Sequence, residues 1–184
     1  AIDSVGGNCQ LGTVQLDVED AERYGITYFD ENGEARGCII NHSSIGSIER
    51  WIYAILEEAL KKEKPELPFW LSPTQIRFIP VREEFLDECV RLAESLNARV
   101  DVDDRESTVS KKIRDAEREW INMIVVYGQK EREGDRLPVR MRSGKVRHMT
   151  LDEIRETVER ELGGRPFRRL TLPMLLSRRI TFRG

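Results

Sequence analysis

The 184 residues contain no apolar run near the roughly 20 residues that a membrane-spanning helix needs, so no span is expected. Ala1-Ile2-Asp3-Ser4 has neither the basic start nor the apolar centre of a secretory signal. The chain begins without Met, in a stretch that reads as strand and turn, and a longer parent protein is expected. Cysteine is scarce. Cys9, Cys38 and Cys89 stand far apart, with no CxxC pair, which excludes a zinc knuckle or a disulfide framework. Reduced thiols in a cytoplasmic protein are the simple reading. Histidine is rarer still, at His42 and His148 only.

What is present is charge, at 34% of residues against 39% hydrophobic, the balance of a water-soluble globular chain. The net charge of -3 hides an asymmetry. Residues 1–63 carry 5 basic and 12 acidic side chains, and residues 64–184 carry 25 and 21. Residues 165–184 hold Arg165, Arg168, Arg169, Arg178, Arg179 and Arg183 with no acid. A basic half is compatible with nucleic acid, although charge alone fits a solvated surface better.

The hydrophobic pattern divides the chain in two. Residues 1–63 begin with extended runs at Gln10–Leu16, Ile26–Phe29 and Gly37–Asn41, the last two separated by the hairpin signal Asn32-Gly33. A helix follows, capped by Ser44 or Ser47, with Ile48, Ile52, Ile55 and Ala59 on one face. Lys61–Pro68 reads as a linker. From residue 64 onward strand and helix alternate. Strands are expected at Ile76–Pro80, Ala98–Val102, Met123–Tyr127 and Leu137–Met141, and helices at Glu83–Leu96, Val109–Glu119 and Leu151–Leu162, the last capped by Thr150. This order predicts an α/β domain with a mixed sheet, large enough to bury its own core. The first 63 residues have too few elements to do so.

Five blocks carry a resemblance. They are Gln10-Leu11-Gly12-Thr13-Val14-Gln15-Leu16-Asp17, Gly46-Ser47-Ile48-Glu49-Arg50, Leu71-Ser72-Pro73-Thr74-Gln75, Lys111-Lys112-Ile113-Arg114 and Tyr127-Gly128-Gln129-Lys130-Glu131. In this order and spacing they resemble the C-terminal part of an archaeal-type threonyl-tRNA synthetase, a class II aminoacyl-tRNA synthetase. The resemblance implies that residues 1–63 are the end of a catalytic domain, antiparallel β plus the motif 3 helix, and that residues 64–184 are an anticodon-binding domain.

The resemblance also implies roles. Arg50 matches the motif 3 arginine, a fixed planar cation against the ATP phosphates. Ser47 and Gln10 match further ATP contacts, and Thr13 and Gln15 match polar residues near the threonine pocket. ATP with Mg, and threonine, would be used by the parent enzyme. The family's zinc ion takes a His five residues before the motif 3 glycine. Here Asn41 holds that place and His42 follows it, and a one-residue slip along a strand reverses the face. His42 would therefore be a zinc ligand only if a bulge re-aimed it.

At the anticodon the matching positions are Glu106, Arg114, Glu131 and Arg140, with Arg105, Lys111, Lys112 and Arg142 at phosphate-contact positions. Motifs 1 and 2 are absent from these residues, so the chain alone is not expected to activate threonine. Two other readings stay open: the end of an editing-only relative that binds tRNA without activating threonine, and a non-enzymatic RNA-binding module. Read singly, Arg50 also fits a helix ion pair with Glu49 or Asp17, and the later residues fit solvated surface charges. The full-length parent is expected to act as a homodimer on threonine tRNA.

Overall fold

The computed structural model describes residues 1–37, 39–44 and 46–180. Cys38 and Arg183 lie outside the described residues. The chain divides into two compact units, Ala1–Lys61 and Lys62–Gly184.

In the first unit, β1 (Thr13–Asp17) pairs antiparallel with β4 (Ile39–Ser43). The short helix α1 (Glu19–Arg23) lies between them in sequence, and the Asp17 carboxylate accepts from the Asp20 N–H at 3.0 Å. β2 (Tyr28–Phe29) and β3 (Ala35–Arg36) form a separate hairpin around Asp30–Gly33. The Asn-Gly turn therefore forms as expected, with Gly33 at φ 74°. Its second strand is Ala35–Arg36, however, and the expected run Gly37–Asn41 contributes instead to β4, opposite β1. α2 (Ile48–Leu60) is capped by Ser47, whose hydroxyl accepts from the Arg50 N–H. Among the described residues of this unit only Ala21 and Ala59 are buried hydrophobics, while Val14, Leu16 and Ile40 are exposed.

The second unit is built on a five-stranded sheet in the order β6-β5-β7-β8-β9. β5 (Ile76–Pro80) is an inner strand and runs parallel to β6 (Val100–Val102) and β7 (Met123–Tyr127). β8 (Leu137–Met141) and β9 (Val146–Met149) continue it antiparallel. The sheet is mixed, as the order of elements predicts. The crossovers α3 (Leu86–Glu94) and α4 (Val109–Arg118) run to opposite sides of β5, so right-handed connections put them on opposite faces. The short helix α5 (Gln129–Glu133) follows β7, and α6 (Leu151–Leu162) closes the domain with a Thr150–Glu153 capping box.

One face of the sheet carries Ile76, Phe78, Val102, Met123, Val125 and Val139 against α3 and α6. The other face carries Ile79 and Ile124 against Ala116 and Ile121, a much smaller apolar cluster. α4 packs on β5 and β7. Beyond it the same face of β8 and β9 presents Arg140, Val146 and His148, with Val146 46% exposed. In this half of the sheet Arg140 faces Glu117 of α4.

Past α6 the chain returns to the far edge. The Val102 N–H donates to the Met174 carbonyl at 3.0 Å, and Ser177 is held by Asp104. Arg179 reaches Asp101 at 3.0 Å.

Candidate nucleic-acid interface and motif 3 unit

In the first unit the chain brings Gln10, Ser47 and Arg50 together. Gly46 sits at φ 67°, and a Cβ there would stand 2.7 Å from the Leu11 carbonyl. Both constraints favour glycine, and they let the start of α2 approach the segment before β1. Arg50 then donates from Nη1 to the Gln10 carbonyl at 3.2 Å. Ser47 spends its hydroxyl as the helix cap. All three side chains are exposed.

The register decides which strand residues share a face. Thr13 pairs with Ser43 and Gln15 with Asn41, so these four point the same way. His42 pairs with Val14 and points to the opposite side. The ladder runs unbroken through five residue pairs, so no bulge re-aims His42. Among the described residues no three His, Cys, Asp or Glu side chains converge as a metal site. His42 is thus a single donor of the four that zinc usually takes, turned away from Thr13 and Gln15. His42 could supply one ligand at most, from the strand face opposite Thr13 and Gln15.

In the second unit Arg114 lies on α4 and Arg140 on β8, where Arg140 faces the α4 residue Glu117. Arg114 and Glu117 lie one turn apart on α4, and Arg140 Nη1 is 4.0 Å from the Glu117 carboxylate. Arg140 pairs in register with Ile124, and both Ile124 and Arg114 line a cleft of about 420 Å³ at the C-terminal end of α4. Glu106 and Glu131 lie at the other end of the sheet, beyond the C-terminal ends of β6 and β7. Glu106 is exposed and lines a second cleft with Arg82 and Arg105. Glu131 is half-buried and accepts from the Gly128 N–H at 3.0 Å, which leaves its second oxygen uncommitted in that bond. The four positions expected at the anticodon therefore fall in two groups, at opposite ends of β7.

The expected phosphate contacts fare unequally. Lys111 is exposed. Lys112 is 6% exposed and donates from Nζ to the Asp103 carbonyl at 2.9 Å, so it is a structural lysine unavailable to solvent phosphate. A lysine three residues from a helix start can fold back under the sheet, and the one-letter pattern hides this. Arg142 holds the Pro65 carbonyl with Nε at 2.8 Å and the Glu117 carbonyl with Nη1, tying down the segment before β5. Arg105 forms a two-pronged pair with Asp103 at 2.8 and 2.7 Å. Two arginines of the basic C-terminal stretch are likewise spent inside the unit. Arg165 stacks over Trp70 at 4.6 Å, and Arg179 pairs with Asp101.

Sequence reasoning passed over a buried ionic group and an aromatic residue. Arg77, in the middle of β5, is fully buried and bridges Asp101 and Glu119. The signal was there, since a charged residue inside a buried strand must find partners. Trp120 ends α4 at φ 58°, a non-glycine residue in the left-handed region among the described residues.

Comparison with known proteins gives this geometry a family. The anticodon binding domain family matches residues 75–161. The threonine--tRNA ligase of Pyrococcus horikoshii is 47% identical over 192 aligned residues, covering 100% of this chain and 31% of that protein. That of Nitrosopumilus maritimus is 45% identical over 97% of this chain and 30% of its own length. The crystal structure of the RNA binding domain of threonyl-tRNA synthetase from Cryptosporidium parvum superposes with a TM-score of 0.63 at 27% identity, over 91% of this chain and 42% of that one. The chain spans about a third of the length of the curated relatives it matches. Residues 75–161 thus match the anticodon binding domain family, and the whole chain is similar to the corresponding third of threonine--tRNA ligases.

Proposed function

We propose that residues 64–184 bind the anticodon of threonine tRNA, and that residues 1–63 supply motif 3 to the ATP and threonine site of a longer threonine--tRNA ligase. The observation that carries the first part is the uncovered half-sheet beside α4, with Arg140 on the strand facing Glu117 and Arg114 one turn earlier on the helix. Loop bases of a tRNA are unpaired, so planar guanidinium groups can stack on them or pair with their edges. Glu106 and Glu131 would accept from base amino or imino groups at the other end of β7, and Lys111 would meet phosphate.

For the second part, Arg50 is oriented by the Gln10 carbonyl at the mouth of α2. A fixed guanidinium there suits the phosphates of ATP, with Ser47 and Gln10 beside it and Thr13 and Gln15 on the strand floor. When bound with Mg, ATP would supply the adenylate chemistry that the parent completes with residues outside this chain. The sparse core of the first unit fits a segment that packs within a larger domain. A homodimeric, cytoplasmic parent belongs to the same reading.

The test is filter binding of threonine tRNA and of anticodon-substituted forms. Discrimination by the natural anticodon is expected, and Arg140→Ala should cost about 1–3 kcal/mol that depends on the anticodon bases. Equal affinity for all anticodons would overturn the assignment.

The His42 geometry supports a second reading, an editing-only parent that binds tRNA without activating threonine. Threonine-dependent pyrophosphate exchange by the parent protein separates the two. Exchange supports the ligase, and its absence supports the editing form.

A further inference from the structure

We propose that Trp120 forms a stacking pocket for one unpaired RNA base, in the cleft that Arg114 also lines. The proposal rests on the anticodon reading and deepens it by naming a residue that receives a base.

α4 ends in a two-bond terminator. The Trp120 N–H donates to the Glu117 carbonyl at 3.2 Å and the Ile121 N–H to the Ala116 carbonyl at 3.1 Å. The residue between them must adopt a left-handed backbone, a place that glycine fills without cost. Here it is tryptophan, at φ 58°. The bulkiest side chain thus stands where the smallest would relieve strain, and strained residues gather at sites where a side chain must be aimed.

The surroundings say what it is aimed at. Trp120 lines the cleft of about 420 Å³ with Lys64, Arg114, Arg118 and Arg142, over a floor that includes Ile121 and Met141. Arg142 is fixed as a wall by its bonds to Pro65 and Glu117. The cleft therefore offers an indole plane, an apolar floor and several cations. A single aromatic base on a polyanionic backbone matches all three: the ring stacks, the floor takes its edge, and the cations take the flanking phosphates. Glu117, on the rim, can accept from an exocyclic amino group.

The test uses the 184-residue chain and an anticodon stem–loop of threonine tRNA, with each loop position made abasic in turn. Trp120→Asn removes the ring yet suits the left-handed backbone, and Trp120→Phe keeps an aromatic face. The proposal expects one abasic position to weaken wild-type binding on the order of tenfold. That same position should cost almost nothing further in Trp120→Asn, and most of its cost should return in Trp120→Phe. If every abasic position costs Trp120→Asn as much as wild type, the pocket is overturned, while a retained anticodon preference leaves the anticodon reading intact. If wild type shows no anticodon preference, that reading fails. The pocket is then judged by fluorescence in a Trp51→Phe/Trp70→Phe background, where single-stranded RNA should quench Trp120, and unchanged emission would reject it.

Discussion

Arg77 and Asp101 face each other across neighbouring parallel strands, fully buried and joined by two hydrogen bonds of 2.7 and 2.9 Å. Thr74 and Arg179 also bond the Asp101 carboxylate, and Glu119 takes Arg77 from the exposed side. Asp101 thus connects the inner strand β5, the edge strand and the C-terminal segment.

The first prediction concerns this group. Removing Asp101 takes the shared carboxylate from Arg77 and Arg179 and leaves the buried Arg77 only the half-exposed Glu119. Asp101→Asn should lower unfolding free energy by about 3–5 kcal/mol in urea titration. Replacing both partners, Arg77→Met with Asp101→Leu, should cost less than the single change, because the fully buried Arg77 charge is gone and only the partly exposed Arg179 loses its partner. A double variant weaker than Asp101→Asn would contradict that account.

Asp103 supplies a pH dependence. Burial alone would raise its pKa, but the hydrogen bonds and charge of Arg105, aided by Lys112, hold it below the ordinary carboxylate value. A depressed folded pKa contributes stability that is present above the unfolded value of about 3.9, and is lost as pH falls through the folded value. Arg105→Gln should therefore lower Tm most at neutral pH, and the gap to wild type should close below about pH 4. A gap that stays constant from pH 7 to pH 3 would show that Arg105 acts through packing alone.

Strands β5, β7 and β8 and helix α6 were legible to the residue, because short apolar runs and the Thr150 cap mark their ends. β9 was not, since Val146–Met149 is an edge strand with three exposed residues and little apolar signal. The partner of the Asn32-Gly33 turn was misread because Ala35–Arg36 is too short for alternation to show. Within the candidate site, Arg114 and Arg140 were singled out by resemblance, and only the structure shows that Arg140 faces Glu117 of α4. The burial of Lys112 and the left-handed backbone at Trp120 depend on how α4 lies on the sheet, which spacing does not encode.

Lys111 and Lys112 are adjacent in sequence but differ in environment, and they separate binding from folding. Lys111→Ala should weaken every RNA to a similar degree and reduce the salt slope of binding by about one. Lys112→Ala should leave the salt slope unchanged and lower stability, since the Asp103 carbonyl loses its donor. The reverse pattern, with Lys112 setting the slope, would place its ammonium in solvent.

Gly46 controls the geometry of Arg50. A Cβ at this position meets the Leu11 carbonyl at 2.7 Å, and the φ of 67° adds strain of its own. The backbone atom cannot rotate away as a side chain could, so Gly46→Ala must shift α2 or the segment before β1. The cost should be about 1–3 kcal/mol in the first unit. The Arg50–Gln10 bond crosses the gap that this shift would open. In the parent protein the variant should therefore weaken ATP binding while leaving anticodon discrimination by the second unit unchanged. Parallel measurements of nucleotide affinity and tRNA filter binding check both halves. If Gly46→Ala binds ATP as wild type does, Arg50 is not positioned by this approach.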